Sequence, residues 1–352
     1  MDIKEQLTYK VHEVAEYINW TYFFHAWGFA PPYAGVAGVC DCASCKSAWI
    51  SGFPREQRPK AREAAQLYDD ACRQLQQLEG QMEVRVLFRL CPAHAEEDNL
   101  IISGKTFPLL RQQQRHAPGQ PCLCLSDFVR PAAQGPDTVG LFAATVQAIA
   151  TATQAAAAEE SNSKATATAT QAAAAEESPC KATVTATATQ AAAAKESPCK
   201  ATATQAAATE GDAYTRLLHQ TLADRLAEAA VEKMHQYVRK EAWGYAAAEQ
   251  LDIPRLHREE FQGIRPAVGY PSLPDQSVNF LIDELLNMRQ IGISLTENGA
   301  MCPPASVSGL MLAHPEARYF SIGKIGEDQL ADYARRRGLP VEVVRKFLAA
   351  NL

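Results

Sequence analysis

The sequence predicts an α+β fold: an antiparallel sheet with flanking helices, interrupted by an Ala/Thr-rich low-complexity insertion. Three observations predict it. Helical and strand periodicities are mixed without a βαβ rhythm. "EVRVLFRL" alternates, with Val84, Val86, Phe88 and Leu90 on one side and Glu83, Arg85 and Arg89 on the other, the pattern of a half-buried strand. Between two zones of globular character, one unit built around "ATQAAAAEE" recurs with no large apolar side chains.

Residues 1–146 form the first globular zone. Glu63–Leu78 has helical spacing, with Ala65, Leu67, Ala71 and Leu75 among charges and glutamines. "NLIISGKTF" adds a strand around a Ser103-Gly104 turn. Residues 147–211 are the insertion. The glutamines of its repeated unit fall at 154, 171, 190 and 205, spacings of 17, 19 and 15, too irregular for stacked solenoid units. Such units bury too little surface to offset ordering entropy, so the zone is read as a flexible surface insertion between helix and coil. Residues 212–352 are globular again. A long amphipathic helix carries Leu218, Leu222, Leu226, Ala229 and Ala230 on one stripe. Another helix follows Ser277, a candidate N-cap. "SVSGLMLAHPEARYFSIGKI" reads as strand, turn, strand, and two short helices close the chain, the first stopped by Gly338 and the second starting at Pro340.

Composition narrows the function classes. The chain has 352 residues, 47% hydrophobic and 21% charged, with a formal net charge of −6, and no basic stripe suggests nucleic acid. The uncharged run at 140–158 is Ala/Thr-rich rather than Leu/Ile/Val/Phe-rich, so no membrane span is expected. No apolar signal segment opens the chain, and a cytoplasmic setting follows as the expectation, with the ten cysteines as thiols or metal ligands.

The loop "GIRPAVGYPSLPDQS" (263–277) is long and stiff. Pro266, Pro271 and Pro274 fix φ, while Gly263 and Gly269 allow close backbone approach. Arg265 offers a planar fork for a carboxylate or phosphate, and Tyr270 a ring and a hydroxyl. These suit a small zwitterion with a flat heterocycle; alternatively Arg265 pairs with Glu259 or Glu260 and pins the loop.

"GIRPAVGY", with Pro271 and Pro274-Asp275, resembles the signature of the activation domain of cobalamin-dependent methionine synthase. "YINWTYFFHAWGF", "CLSDFV", "GLFAATV", "ADRLAEA", "LTENGAM", "ASVSG", "HPEARYF" and "DYARRRG" are similar to that family's segments in the same order, across both globular zones. The resemblance implies an activation-domain-like fold and binding of S-adenosylmethionine (AdoMet), presented to cob(II)alamin held by a separate cobalamin-binding methionine synthase chain. An electron from flavodoxin or a similar reductant would accompany the methyl group. Carried onto this sequence, Arg265 would hold the AdoMet carboxylate. Ala267, Gly269 and Tyr270 would line adenine and ribose, and Tyr319 with Phe320 would close over the ligand. Glu228 occupies an acidic position facing a positive group of AdoMet or the docking partner; a solvated helix face is the alternative.

The sequence also departs from the family. Asn19 stands where the family has the aspartate that would pair with the AdoMet ammonium, which predicts weaker affinity by about 1 kcal/mol. Leu273 and Gln276 replace a cysteine and a histidine, and Cys302 replaces a tryptophan. No Asp-x-His-x-x-Gly cobalamin motif occurs in the 352 residues, and the homocysteine and folate modules are missing from them, so the chain is expected to act in trans and to be inactive alone. Separately, Cys40, Cys42 and Cys45 form a C-x-C-x2-C array that, with Cys91, is a candidate zinc or iron–sulfur ligand set. His94 lies close to Cys91 in sequence. His25 is expected to be a packed core histidine, and Cys122 and Cys124 ordinary packing. A cysteine–metal redox or adaptor protein that keeps the fold without AdoMet is the competing reading.

Overall fold

A computed structural model describes residues 2–114, 119, 121–149 and 213–352. All but the first three residues of the expected insertion lie outside the described residues. Strand β1 (Ile3–Lys10) leads through α1 (Val11–Ala15) and α2 (Trp20–Ala26) to α3 (Ala43–Ser51) and α4 (Arg58–Leu78). Next come β2 (Met82–Glu96), β3 (Asn99–Ile102), β4 (Lys105–Pro108) and β5 (Asp137–Ala148). Beyond the insertion lie α5 (Ala213–Tyr237), α6 (Ile253–His257) and α7 (Val278–Leu286). The chain finishes with β6 (Ser294–Leu295), β7 (Met301–Cys302), β8 (Ser306–Met311), α8 (Glu327–Arg337) and α9 (Val341–Phe347). The described residues up to Gln147 and from Ala213 belong to one compact unit.

The main sheet runs β4-β3-β2-β5-β8, with β1 also paired to β2, and β6 pairs with β7 separately. The β1–β2, β2–β3, β3–β4 and β5–β8 pairings are antiparallel. Register decides which side chains go where, because neighbours on a strand point to opposite faces. Val84, Val86, Phe88 and Leu90 of β2 enter one core with α1, α2, α4 and α5. Leu87, Cys91, Ala93 and Ala95 enter a second core with α7. The strand expected to be half-buried is therefore covered on both faces, as is β5, with Phe142 and Ala144 on one side and Leu141 and Ala143 on the other. Among the described residues, no helix is long and apolar enough to cross a membrane.

Local chemistry sets the helix ends. Gly338 has φ +66° and its N–H donates to the Ala334 and Arg335 carbonyls, closing α8 in the left-handed conformation that glycine adopts without steric cost. Ser277 sits just before α7 but does not cap it with its side chain: its hydroxyl donates to Asp275 Oδ2 at 2.8 Å. The expected strand–turn–strand after residue 306 is half realised. β8 forms, but the second half of the segment is irregular because its backbone bonds elsewhere. The Ile322 N–H donates to the Pro271 carbonyl, and the Phe320 N–H donates to Ser272 Oγ. His25 is exposed in the last turn of α2, not packed in the core.

One structural consequence of β8 matters most for function. The Ile264 and Leu312 backbones exchange hydrogen bonds of 2.9 Å, the Leu310 N–H donates to Pro266, and Val268 N–H donates to Ser308. Residues 264–268 are thereby zipped along β8. Gly309 lets them come this close: a Cβ there would lie 2.2 Å from the Pro266 oxygen and 2.8 Å from Ala267 Cα.

The C-terminal half of α5 and the turn that follows it bury charge. Arg239, fully buried, donates two hydrogen bonds to Glu249 (2.8 and 2.7 Å), and its guanidinium lies 4.0 Å from the Phe261 ring centroid. It also donates to His235 Nδ1 at 2.8 Å. Since a guanidinium only donates, Nδ1 is an acceptor and the ring is neutral. Burial, with Arg239 and Arg265 adding to it, pushes His235 well below its usual 6.5. The helix then widens into a π-turn at Val238–Ala242, where Trp243 N–H reaches the Val238 carbonyl at 2.9 Å.

Two outcomes follow. Gly309→Ala should cost about 1–3 kcal/mol, because backbone on the opposing segment must move; Gly38→Ala, where nothing lies within 4 Å, is expected to be neutral. Equal melting temperatures for the two variants would contradict the close approach. Acidification provides the second test. Below about pH 6.5 the unfolded chain takes up a proton at His235 that the folded chain refuses, so stability rises with pH across this window. The contribution approaches about 1.4 kcal/mol per pH unit. Urea unfolding from pH 7 to 5 should show a shallower pH slope in His235→Gln; identical slopes would show that His235 is not held neutral.

Candidate functional site

Two elements converge on one cleft. The zipped segment delivers Arg265 from the sheet side, and α5 presents Glu228, Glu232 and Arg225 from the helix side. The cleft encloses about 80 Å³ and is also lined by Asn19, Tyr22 and Glu259. That volume is below the ~300–1,000 Å³ usual for small-molecule sites, because Arg265 and Arg225 occupy the cleft by pairing with Glu232 and Glu228. Of the eight binding residues expected from sequence, Asn19, Glu228 and Arg265 line it directly.

The charges are largely satisfied among themselves. Arg265 uses both terminal nitrogens on Glu232, which is buried at 5% exposure, so this ion pair has little solvent around it. Its NH1 also approaches His235 Nδ1 at 3.5 Å. The predicted partners Glu259 and Glu260 do not take this role: Glu260 is bonded to Arg255 and Arg258. Arg225 donates to Glu228 at 2.8 Å, yet its Nε is buried without a hydrogen-bond partner. A buried N–H left unpaired is costly, and here it lies beside the cleft.

Two tyrosines border the cleft through hydrogen bonds rather than as lining. Tyr270 donates its hydroxyl to Glu228 at 2.5 Å, and burial together with this carboxylate raises its pKa. Tyr319 Oη accepts the backbone N–H of Arg265 at 3.0 Å. Tyr22, which lines the cleft, and Tyr270 and Tyr319 beside it are 59%, 48% and 36% exposed, so part of each ring is open to solvent.

The remaining expected residues are placed as follows. Ala267 bridges to Gly309 on β8. Gly269, at φ +86°, forms the turn that carries Tyr270, with its N–H donating to Leu273 O at 2.8 Å. Phe320 does not line the cleft; its ring lies 6.3 Å from that of Phe128, on the second core. Asn19 lines the cleft and caps α2 at once, its Oδ1 accepting from Thr21 N–H at 3.1 Å. Sequence reasoning missed Glu232, Arg225 and Tyr22. The signal existed for all three: Arg225, Glu228 and Glu232 are spaced i, i+3 and i+7 on one helix face, and Tyr22 stands three residues beyond Asn19.

The cysteines divide. Sγ atoms of Cys40, Cys42 and Cys45 all lie within 4.8 Å of one another at an exposed position. Hydrogen bonds from Ser44 and Cys45 draw Cys42 down to about 6. Cys91 does not join them. It is fully buried in the second core, whereas α3 packs through Trp49 and Ile50 on the first, so the sheet separates the two.

Comparison with known proteins identifies the family. The family profile described as "Vitamin B12 dependent methionine synthase, activation domain" matches residues 10–177 and 174–338. A solved structure described as the MetH reactivation domain bound to AdoHcy is 30% identical, with a TM-score of 0.70, covering 99% of this chain and 90% of that one. The chain belongs to the family of vitamin B12-dependent methionine synthase activation domains.

Proposed function

We propose that the cleft binds AdoMet and presents its methyl group for reductive remethylation of cob(II)alamin held by a cobalamin-binding methionine synthase chain. The observation that carries this reading is the charge arrangement. Two arginines and three glutamates face one cleft that Tyr22 lines, with the part-exposed Tyr270 and Tyr319 hydrogen-bonded to its residues. AdoMet is a zwitterion with an added sulfonium and a flat purine. Its carboxylate matches Arg265 and the unpaired Nε of Arg225, its cationic groups match Glu228, Glu232 and Glu259, and its purine matches a tyrosine face. The relative bound to AdoHcy, the demethylated form of this ligand, supports the same assignment.

The chemistry supplied is transfer of the sulfonium methyl to one-electron-reduced cobalt, with AdoHcy released and the electron coming from flavodoxin or a similar donor. The acceptor is the metal, so this chain needs no general base. Its contribution is positional: the β8 ladder fixes Arg265, and Glu232 holds the guanidinium in one orientation. Asn19 adds a hydrogen-bond acceptor but no charge.

Calorimetry with AdoMet tests the assignment. Arg265→Ala should weaken binding by about 10- to 100-fold, the range for a lost hydrogen bond to a charged group. Melting curves run alongside separate this from unfolding, because the variant leaves Glu232 buried and unpaired. Asn19→Asp should tighten binding about fivefold while preserving the cap, since aspartate caps helices as well as asparagine does. A wild-type chain that binds no AdoMet at millimolar concentration would overturn the proposal.

A further inference from the structure

We propose that Cys40, Cys42 and Cys45 form a three-thiolate binding site for one thiophilic d10 metal ion, Zn²⁺ or Cu⁺. This site is independent of the AdoMet cleft and is argued from its own geometry. Cys42 is the N-cap of α3, and its Sγ accepts the Cys45 N–H at 3.4 Å. That bond places Cys45 in the first turn of the helix, folded back over Cys42. Cys40 comes up from the preceding loop, so three sulfurs face one point within 4.8 Å of one another.

The distances suit such an ion. Zn–S bonds of about 2.3 Å at tetrahedral angles require S···S separations of about 3.8 Å, and a trigonal arrangement about 4.0 Å. Closing from 4.8 Å needs side-chain torsions only, and all three cysteines are exposed and able to turn. The backbone beneath them is already fixed. Lys46 bonds both Asp41 and Asp69, tying the cysteine loop to α4, and Trp49 and Ile50 pack α3 against the first core. A fixed backbone lowers the ordering cost of capturing an ion. Among the described residues no fourth His, Cys, Asp or Glu ligand belongs to the group, so an exogenous ligand completes a zinc site, whereas Cu⁺ is satisfied by three thiolates. The helix N-terminus adds a favourable potential for the thiolate charge.

The test uses the reduced full-length chain. Titration with Co²⁺, a spectroscopic stand-in for zinc, is expected to give one equivalent with thiolate-to-cobalt charge-transfer absorption. Competition against chromophoric chelators selective for Zn²⁺ and for Cu⁺ then decides between the two ions. Binding of Zn²⁺ alone supports the tetrahedral form, and binding of Cu⁺ alone the trigonal one. Cys40→Ser, Cys42→Ser and Cys45→Ser should each lower affinity at least tenfold, while Cys122→Ser leaves it unchanged. Absence of binding for both ions, or binding that survives Cys42→Ser and Cys45→Ser undiminished, would overturn the proposal.

Discussion

Everything at the cleft depends on the backbone ladder between residues 264–268 and β8. A segment with two prolines nearby and a glycine at each end has few ways to satisfy its backbone groups, and β8 supplies them. The consequence is that Arg265 leaves a rigid edge rather than a loose loop. Gly309 is the condition for this, since any side chain there meets the Pro266 carbonyl. One small residue on a strand therefore determines the position of the charged residue to which the proposed function assigns the ligand carboxylate.

The same ladder turns Arg265 toward α5, where the second constraint operates. Glu232, His235 and Arg239 lie along one buried stripe, and each has a partner. Neutral His235 accepts from both arginines, so it stands between two like charges without adding a third. Removing Glu232 or Arg239 would leave a buried charge unpaired, which is far more damaging than losing a surface ion pair. The network therefore orients Arg265 more than it stabilises the fold. Its position beside a π-turn is consistent with strained helix geometry accumulating near sites.

Much of this was legible in the residues. Alternation in β2 and the 3.6-residue stripe of α5 reported burial directly, and the Gly/Pro spacing of the loop announced a fixed backbone. What escaped was whatever depends on long-range packing. The alternation of β2 showed one buried face, but whether Leu87 and Cys91 faced water or α7 depended on an element nearly two hundred residues later. That is also why Cys91 failed as a partner for the cysteine array. The second strand expected near residue 320 was lost for a similar reason: its backbone found partners at Pro271 and Ser272, not in the sheet. His25 looked buried because its neighbours are aromatic, yet on a helix those neighbours occupy other faces. Glu232 was in plain view four residues from Glu228, but pattern alone does not say which face of α5 meets the loop.

Charge balance in the cleft ties these points together. Two arginines against three glutamates leave an excess of negative charge before any ligand is considered. Such a cleft favours a ligand carrying more cation than anion, and it disfavours a simple carboxylate. An amino acid with a sulfonium meets that condition, while its uncharged thioether counterpart meets it less well. Asn19 moderates this preference: an aspartate would deepen the negative potential, and asparagine keeps the helix cap without doing so. Under the proposed assignment, asparagine rather than aspartate at this position lowers how strongly the cleft selects a cation, while the cap of α2 is kept.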